Sequence, residues 1–194
     1  MLRRVLAKLI LKYFQCIRIF ISKALSTNNN LIGKPNILQP VIFEGLGKIV
    51  IDDTVTLGYP TSPLFYDTSI YIEARGKDSS IKIGKNSYIN NGARIVCDKT
   101  SITLGSDLFA GINLEIMDSN FHGIHPDKRR ENDTNCLPVV IENNVFIGNN
   151  VRVLKGVTIG KNSVIANSSV VVKSIPPDSI AGGNPAKVIK TVYE

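Results

Sequence analysis

The chain has 194 residues, 43% of them hydrophobic, 20% charged and 7% aromatic, with no tryptophan. That length favours one domain with a real core, and that composition excludes a disordered chain. A formal charge of +7 invites a nucleic-acid reading, but six cations (Arg3, Arg4, Lys8, Lys12, Arg18 and Lys23) fall in the first 25 residues, which hold no acid. The other 169 residues carry a net +1 and show no basic–aromatic interleaving, so nucleic acid is not an expected partner.

Residues 2–25 contain no glycine or proline and are rich in helix formers. On a helical wheel Arg4, Lys8, Lys12, Gln15, Arg18, Ser22 and Lys23 fall within an arc of about 140°, and most of the remaining surface is aliphatic or aromatic. No charge-free run between Arg3 and Lys23 exceeds five residues, too short for a membrane span. The spread of charges and the lack of a small-residue cleavage site fit a signal peptide poorly. Two roles stay open for this basic amphipathic helix: lying peripherally on an anionic membrane, or packing on the domain or a partner subunit. Residues 26–40, opening Ser26-Thr27-Asn28-Asn29-Asn30, read as a linker.

From residue 41 to 194 the sequence repeats. The pattern apolar–x–apolar–(Gly/Asp/Glu)–x–(Asn/Asp/Thr) occurs at Ile49–Thr54, Ile81–Asn86, Ile102–Asp107, Val139–Asn144 and Val157–Asn162. Its third positions, 51, 83, 104, 141 and 159, are separated by 32, 21, 37 and 18 residues. Within units the apolar residues recur every six, as in Ile141, Ile147, Val153, Ile159, Ile165 and Val171. Neither a helical nor a simple strand period selects every sixth residue. Three short strands per 18-residue turn predict an all-β fold, a parallel β-helix of about five coils. Separations above 18 then mark excesses of 14, 3 and 19 residues; the two long ones lie over roughly 57–72 and over 117–138, which contains both histidines. Loops on a rigid scaffold are where function concentrates.

Three cysteines (Cys16, Cys97, Cys136) without paired spacing point away from a disulfide framework and toward a reducing, cytoplasmic compartment. Two histidines are too few for most metal sites, so no metal is expected.

The repeats, the His-bearing loop and the terminal Gly182-Gly183-Asn184-Pro185-Ala186-Lys187-Val188-Ile189-Lys190 together resemble the hexapeptide-repeat acyltransferases, closest to galactoside and maltose O-acetyltransferases and to sugar O-acetyltransferases of surface-polysaccharide pathways. The resemblance covers about residues 83–190 well and 41–82 loosely. It implies a left-handed β-helix, a homotrimer with active sites between subunits, acetyl-CoA as co-substrate, and a sugar or oligosaccharide hydroxyl as acceptor. It places the catalytic base at His122, a residue type whose pKa near 6.5 suits removal of a hydroxyl proton. Asn90, His125 and Asp118 fall with the acceptor contacts; either Asp118 or Glu115 can orient the imidazole. Asn149, Asn167, Val172 and Lys173 match the pantetheine slot, and Lys187 and Lys190 face the nucleotide phosphates. The alternatives are an N-acetyltransferase on an amino sugar or xenobiotic, and a non-catalytic β-helix used for assembly.

Overall fold

A computed structural model describes residues 2–132 and 135–194; within the N-terminal helix, side chains of residues 2–5, 7 and 8 are outside the description. The expected helix α1 spans Leu2–Leu25, followed by a parallel β-helix of three sheets. The first sheet pairs Ile51 with Ile83, Ile83 with Leu104, Leu104 with Ile141 and Ile141 with Ile159, the register that the repeat spacing implies. The second carries Thr56–Leu57, Tyr88–Ile89, Phe109–Ala110, Phe146–Ile147 and Val164–Ile165 one above another. The third stacks Val41–Glu44, Ile70–Ala74, Arg94–Cys97, Glu115–Met117, Arg152–Val153 and Val170–Val171. The inward residues form one core: Ile49, Ile81, Ile89, Ile95, Ile147 and Ile165 are fully buried.

The asparagines and aspartates of the repeat explain the corners. Asn86, Asp107, Asn144 and Asn162 all sit at positive φ between the first and second sheets, a conformation Asn and Asp tolerate better than other non-glycine residues. Their side chains also form a ladder along the solenoid. Asn86 Nδ2 donates to Asp107 Oδ1 (3.1 Å), Asn144 to Asn162 (3.0 Å) and Asn162 to Asp178 (2.7 Å).

The solenoid has six three-strand coils, one more than the repeat pattern suggests. The extra coil is formed by Leu31–Ile32, Asn36–Ile37 and Val41–Glu44, so most of the 26–40 linker is structured. Leu31 pairs with Ile49 and Ile37 with Leu57, so Gly33 stands at the pattern's third, apolar position, and the corner from there to Ile37 is two residues shorter than that from Ile51 to Leu57, which hides the unit from the pattern. Gly33 is required there: at φ +106°, a Cβ would lie 1.7 Å from the Ile51 carbonyl oxygen. Ser179–Gly183 extends the second sheet, and Ala186–Thr191 turns back antiparallel to it and ends the stack.

The 57–72 insertion leaves the coil after Leu57 and rejoins at Ile70. Two buried amides hold it. Gln39 Nε2 donates to the Leu64 carbonyl (2.7 Å) and Thr68 Oγ1 (3.1 Å). Asn91 Nδ2 donates to the Tyr59 and Pro63 carbonyls, and its Oδ1 accepts the Tyr59 N–H.

The second insertion is tied down at its base by Asp118, and here the structure departs from the sequence expectation of substrate contact. Asp118 is 0% exposed. Its Oδ1 accepts the Asp98 N–H (2.7 Å); its Oδ2 accepts the Lys99 and Thr100 N–H groups (3.1 and 2.9 Å) and the Thr100 hydroxyl (2.9 Å). Its carbonyl accepts the Leu137 N–H (2.9 Å), closing the neck of the loop. Burial opposes ionisation of Asp118, but these donors outweigh it and hold the carboxyl below its ordinary value. The Cys97 thiol, packed beside it, is pushed up to about 12 by burial and then by the Asp118 charge, so it is unreactive at neutral pH.

Asp118→Asn puts an NH₂ among donors that need acceptors. The variant is expected to lose at least about 2 kcal/mol in denaturant unfolding at neutral pH and fixed protein concentration. Because the folded carboxyl is depressed, its stabilisation is present above the ordinary carboxylate range and fades as pH falls through the folded value. The wild type should therefore show a steeper acid loss than the variant; identical curves would contradict this role.

Candidate active site

The site begins with a column of outward side chains. In each coil the residue before the inward position of the second sheet points to solvent, and in three successive coils it is aromatic: Tyr88, Phe109 and Phe146. Tyr88 and Phe109 stack at 6.3 Å with planes 7° apart, and Tyr59 from the first insertion meets Tyr88 edge-on at 5.8 Å. Phe109 and Phe146 are 57% and 53% exposed, unusual for side chains of this size. Burial, then the nearby Tyr59, keeps the Tyr88 phenol above its ordinary pKa, so it remains a hydroxyl donor at neutral pH.

These aromatics line a cavity of about 520 Å³, and the structure brings Asn90, Asn149 and Asn167 together on its wall. Part of each asparagine is already committed to the coil. Asn90 Oδ1 accepts the Asn91 N–H (2.7 Å), Asn149 Oδ1 accepts the Ile112 N–H (3.0 Å), and Asn167 Oδ1 accepts the Asn149 N–H (2.7 Å). Gly111 and Gly148 make room for the last two: a Cβ on either would sit 2.3 Å from the asparagine oxygen of the next coil. An apolar platform rimmed by amides suits the face of a sugar ring or a pantetheine arm. Sequence reading singled out Asn90, Asn149 and Asn167 and missed Tyr59, Tyr88, Phe109 and Phe146. For the last three the signal was there, in the residue before the sixth-position apolar residue; Tyr59 lies in the insertion, outside the repeat.

Neither histidine lines this cavity. His122 is exposed on the second insertion, where its backbone bridges Asn132. The preceding Phe121 adopts φ +64°, which costs about 1 kcal/mol outside glycine. It is held there by Ser119, whose Oγ accepts the Phe121 N–H (2.8 Å), and by the Arg75 guanidinium lying 4.8 Å over its ring. Arg75 is itself bound to Glu73 at 2.8 Å. The following Gly123 admits no side chain, because a Cβ would meet the Lys128 carbonyl oxygen at 2.4 Å. His122 thus stands on a loop folded tightly against itself.

His125 serves that loop. Its Nδ1 accepts the Asp127 N–H (3.3 Å) and caps the short turn Pro126–Lys128. Glu115 is engaged by Arg152 Nε at 2.6 Å, and Asp118 is committed as above, so neither is placed to orient His122 within one chain. Val172 and Lys173 follow the last strand of the third sheet. Lys187 and Lys190 lie exposed on Ala186–Thr191, the terminal antiparallel strand. In a single chain the histidine loop therefore lies apart from the cavity, whereas the lysine-bearing strand extends the second sheet, which also carries the cavity. Among the described residues, no three of His, Cys, Asp and Glu cluster as a metal site.

Comparison with known proteins agrees with this geometry. The sequence profile "Bacterial transferase hexapeptide (six repeats)" matches residues 138–173. The chain is 40% identical over 116 residues to the galactoside O-acetyltransferase of Escherichia coli K12, a match covering 60% of this chain and 56% of that relative. It thus spans little more than half the length of the curated relative. The solved polySia-specific acetyltransferase NeuO superposes with a TM-score of 0.66 at 31% identity, covering 84% of this chain and 68% of that one. A hexapeptide-repeat-containing acetyltransferase from Vibrio cholerae O1 biovar eltor, solved with acetyl coenzyme A, superposes at 0.59 with 25% identity over 95% of this chain and 86% of its own. With its coils, His-bearing insertion and terminal strand, this chain belongs to the hexapeptide-repeat acyltransferases and has their left-handed parallel β-helix.

Proposed function

We propose that the protein is an acetyl-CoA-dependent O-acetyltransferase that esterifies a saccharide hydroxyl, with His122 as general base, in the biosynthesis of a surface polysaccharide. The observation that carries this reading is the aromatic and asparagine-rimmed cavity on the second sheet, which lacks a base of its own. A homotrimer supplies one: packing three prisms side by side sets the His122 loop of one chain against the Asn90 wall of its neighbour. The similar solved structures bound to acetyl coenzyme A or coenzyme A support the donor, and the galactoside and polysialic acid specificities of relatives support a sugar acceptor.

The chemistry needs little from the protein. A thioester is already activated, whereas a sugar hydroxyl at neutral pH is a poor nucleophile. His122 takes the hydroxyl proton as the oxygen bonds to the thioester carbonyl carbon. A backbone N–H steadies the resulting oxyanion. Collapse breaks the carbon–sulfur bond, and the imidazolium returns its proton to the departing thiolate, giving acetyl ester and free coenzyme A. Asn90 and the aromatic column hold the acceptor, with His125 at its outer edge. Asn149, Asn167, Val172 and Lys173 line the pantetheine arm. Lys187 and Lys190 meet the phosphates as point charges, without the bidentate fork that arginine would offer. The protein works in the cytoplasm, at the inner face of a membrane approached through residues 2–25.

His122→Ala is expected to lower coenzyme A release by about 10²–10⁴-fold over a panel of mono- and oligosaccharides, with the oligomer intact. Full activity in that variant would refute the assignment of the base. Lys187→Ala/Lys190→Ala should act differently, raising KM for acetyl-CoA about tenfold or more while kcat changes little. An unchanged KM would remove these lysines from the donor site.

A further inference from the structure

Helix α1 is docked with its polar side inward. Gln15 and Ser22 are buried against the body. Gln15 Nε2 donates to the Leu38 (3.1 Å) and Phe65 (3.4 Å) carbonyls; Arg18 Nη1 donates to the Phe65 carbonyl (3.0 Å), and Arg18 Nη2 to the Thr68 carbonyl. The opposite side is apolar and faces outward, with Phe20 72% and Tyr13 70% exposed and Leu6, Ile10, Ile17 and Leu25 each more than half exposed. A helix stabilised only by burying its apolar face would be turned the other way round. Exposed Lys12 and Lys23 lie along one flank of the apolar side.

We propose that α1 is a membrane-docking plate: its outward apolar face enters an anionic phospholipid surface, while Gln15 and Arg18 fix the plate to the 58–69 loop that supplies Tyr59 to the acceptor cavity. This deepens the membrane part of the function proposed above and rests on it. Charge selects the occupant. The segment holds no acid, and the exposed Lys12 and Lys23 border the outward apolar face, so the surface that complements it is apolar and anionic. Anionic lipid meets both needs: the flanking lysines reach headgroups while the aromatics enter the acyl boundary. Each lysine adds about fivefold to partitioning on such a surface. No helix among the described residues is long and apolar enough to cross a membrane. The Arg18 contacts fall on the same loop as Tyr59, so the plate is joined to the wall of the cavity within one short segment. An acceptor presented at the lipid surface would meet a cavity held at fixed orientation to it.

The test is sedimentation of the full chain with vesicles of phosphatidylglycerol and phosphatidylcholine, against phosphatidylcholine alone. Wild type is expected to bind the mixed vesicles at least tenfold more tightly. Ile17→Glu/Phe20→Glu should lose that binding at unchanged oligomer mass and circular dichroism. Lys12→Glu/Lys23→Glu should lose the anionic preference more than tenfold. Wild-type-like vesicle binding by the first variant, or a loss of oligomer mass without a loss of vesicle binding, would overturn the proposal. Arg18→Ala tests the fixing: amide exchange across residues 58–69 should rise at least severalfold while vesicle binding persists, and unchanged exchange would overturn that part. Coenzyme A release on soluble saccharides separates the two readings. Its persistence in a variant that no longer binds vesicles leaves the acetyltransferase standing, and vesicle binding without release leaves the docking plate standing.

Discussion

The structure depends on the in-register pairing of very short parallel strands. Two-residue strands such as Tyr88–Ile89 and Phe146–Ile147 hold only because each is paired above and below. The chain must therefore return to the same azimuth on every turn. Residues that do not fit the turn are expelled at a corner, and the corners themselves need residues that accept positive φ. The Asn86–Asp107 and Asn144–Asn162–Asp178 contacts show the corner residues doing a second job, bonding coil to coil outside the strands. This is how a protein without tryptophan, with cores of isoleucine and valine, builds a prism with defined faces.

Function follows from what the prism expels and what it repeats. The expelled segments carry side chains that the coils cannot: one holds His122, the proposed base, and the other carries Tyr59 and the carbonyls that bind Arg18. The repeated positions make the platform, since a residue type recurring every coil becomes a column. Tyr88, Phe109 and Phe146 form such a column, and Asn149 and Asn167 form another beside it. Phe121 at positive φ and the Arg75–Phe121 contact tie the His122 loop to the third sheet, so a base proposed at His122 would stand on a held loop rather than on a free tip.

Much of this was legible in the sequence. Register could be read from the spacing of Ile51, Ile83, Leu104, Ile141 and Ile159, because a solenoid core permits no drift. The first coil was hidden by Gly33 at a core step, by Lys34 where later units carry Gly, Asp or Glu, and by a corner two residues shorter. The role of Asp118 was hidden for a different reason. A carboxylate beside a candidate base reads as catalytic, and only coordinates show its oxygens filled by the Asp98, Lys99 and Thr100 amides. The orientation of α1 was also beyond sequence. Amphipathicity gives two faces but does not say which one meets the body, and the usual expectation, apolar side inward, is reversed here by three polar side chains.

The central claim is that the active site is shared between chains: His122 from one and Asn90 from its neighbour. The most direct measurement mixes two inactive variants, His122→Ala and Asn90→Ala, denatured and refolded together in equal amounts. Random trimers then contain sites with both wild-type groups, and about a quarter of wild-type activity should return. If the mixture stays as inactive as the separate variants, the two groups do not meet across an interface and the shared-site account is wrong.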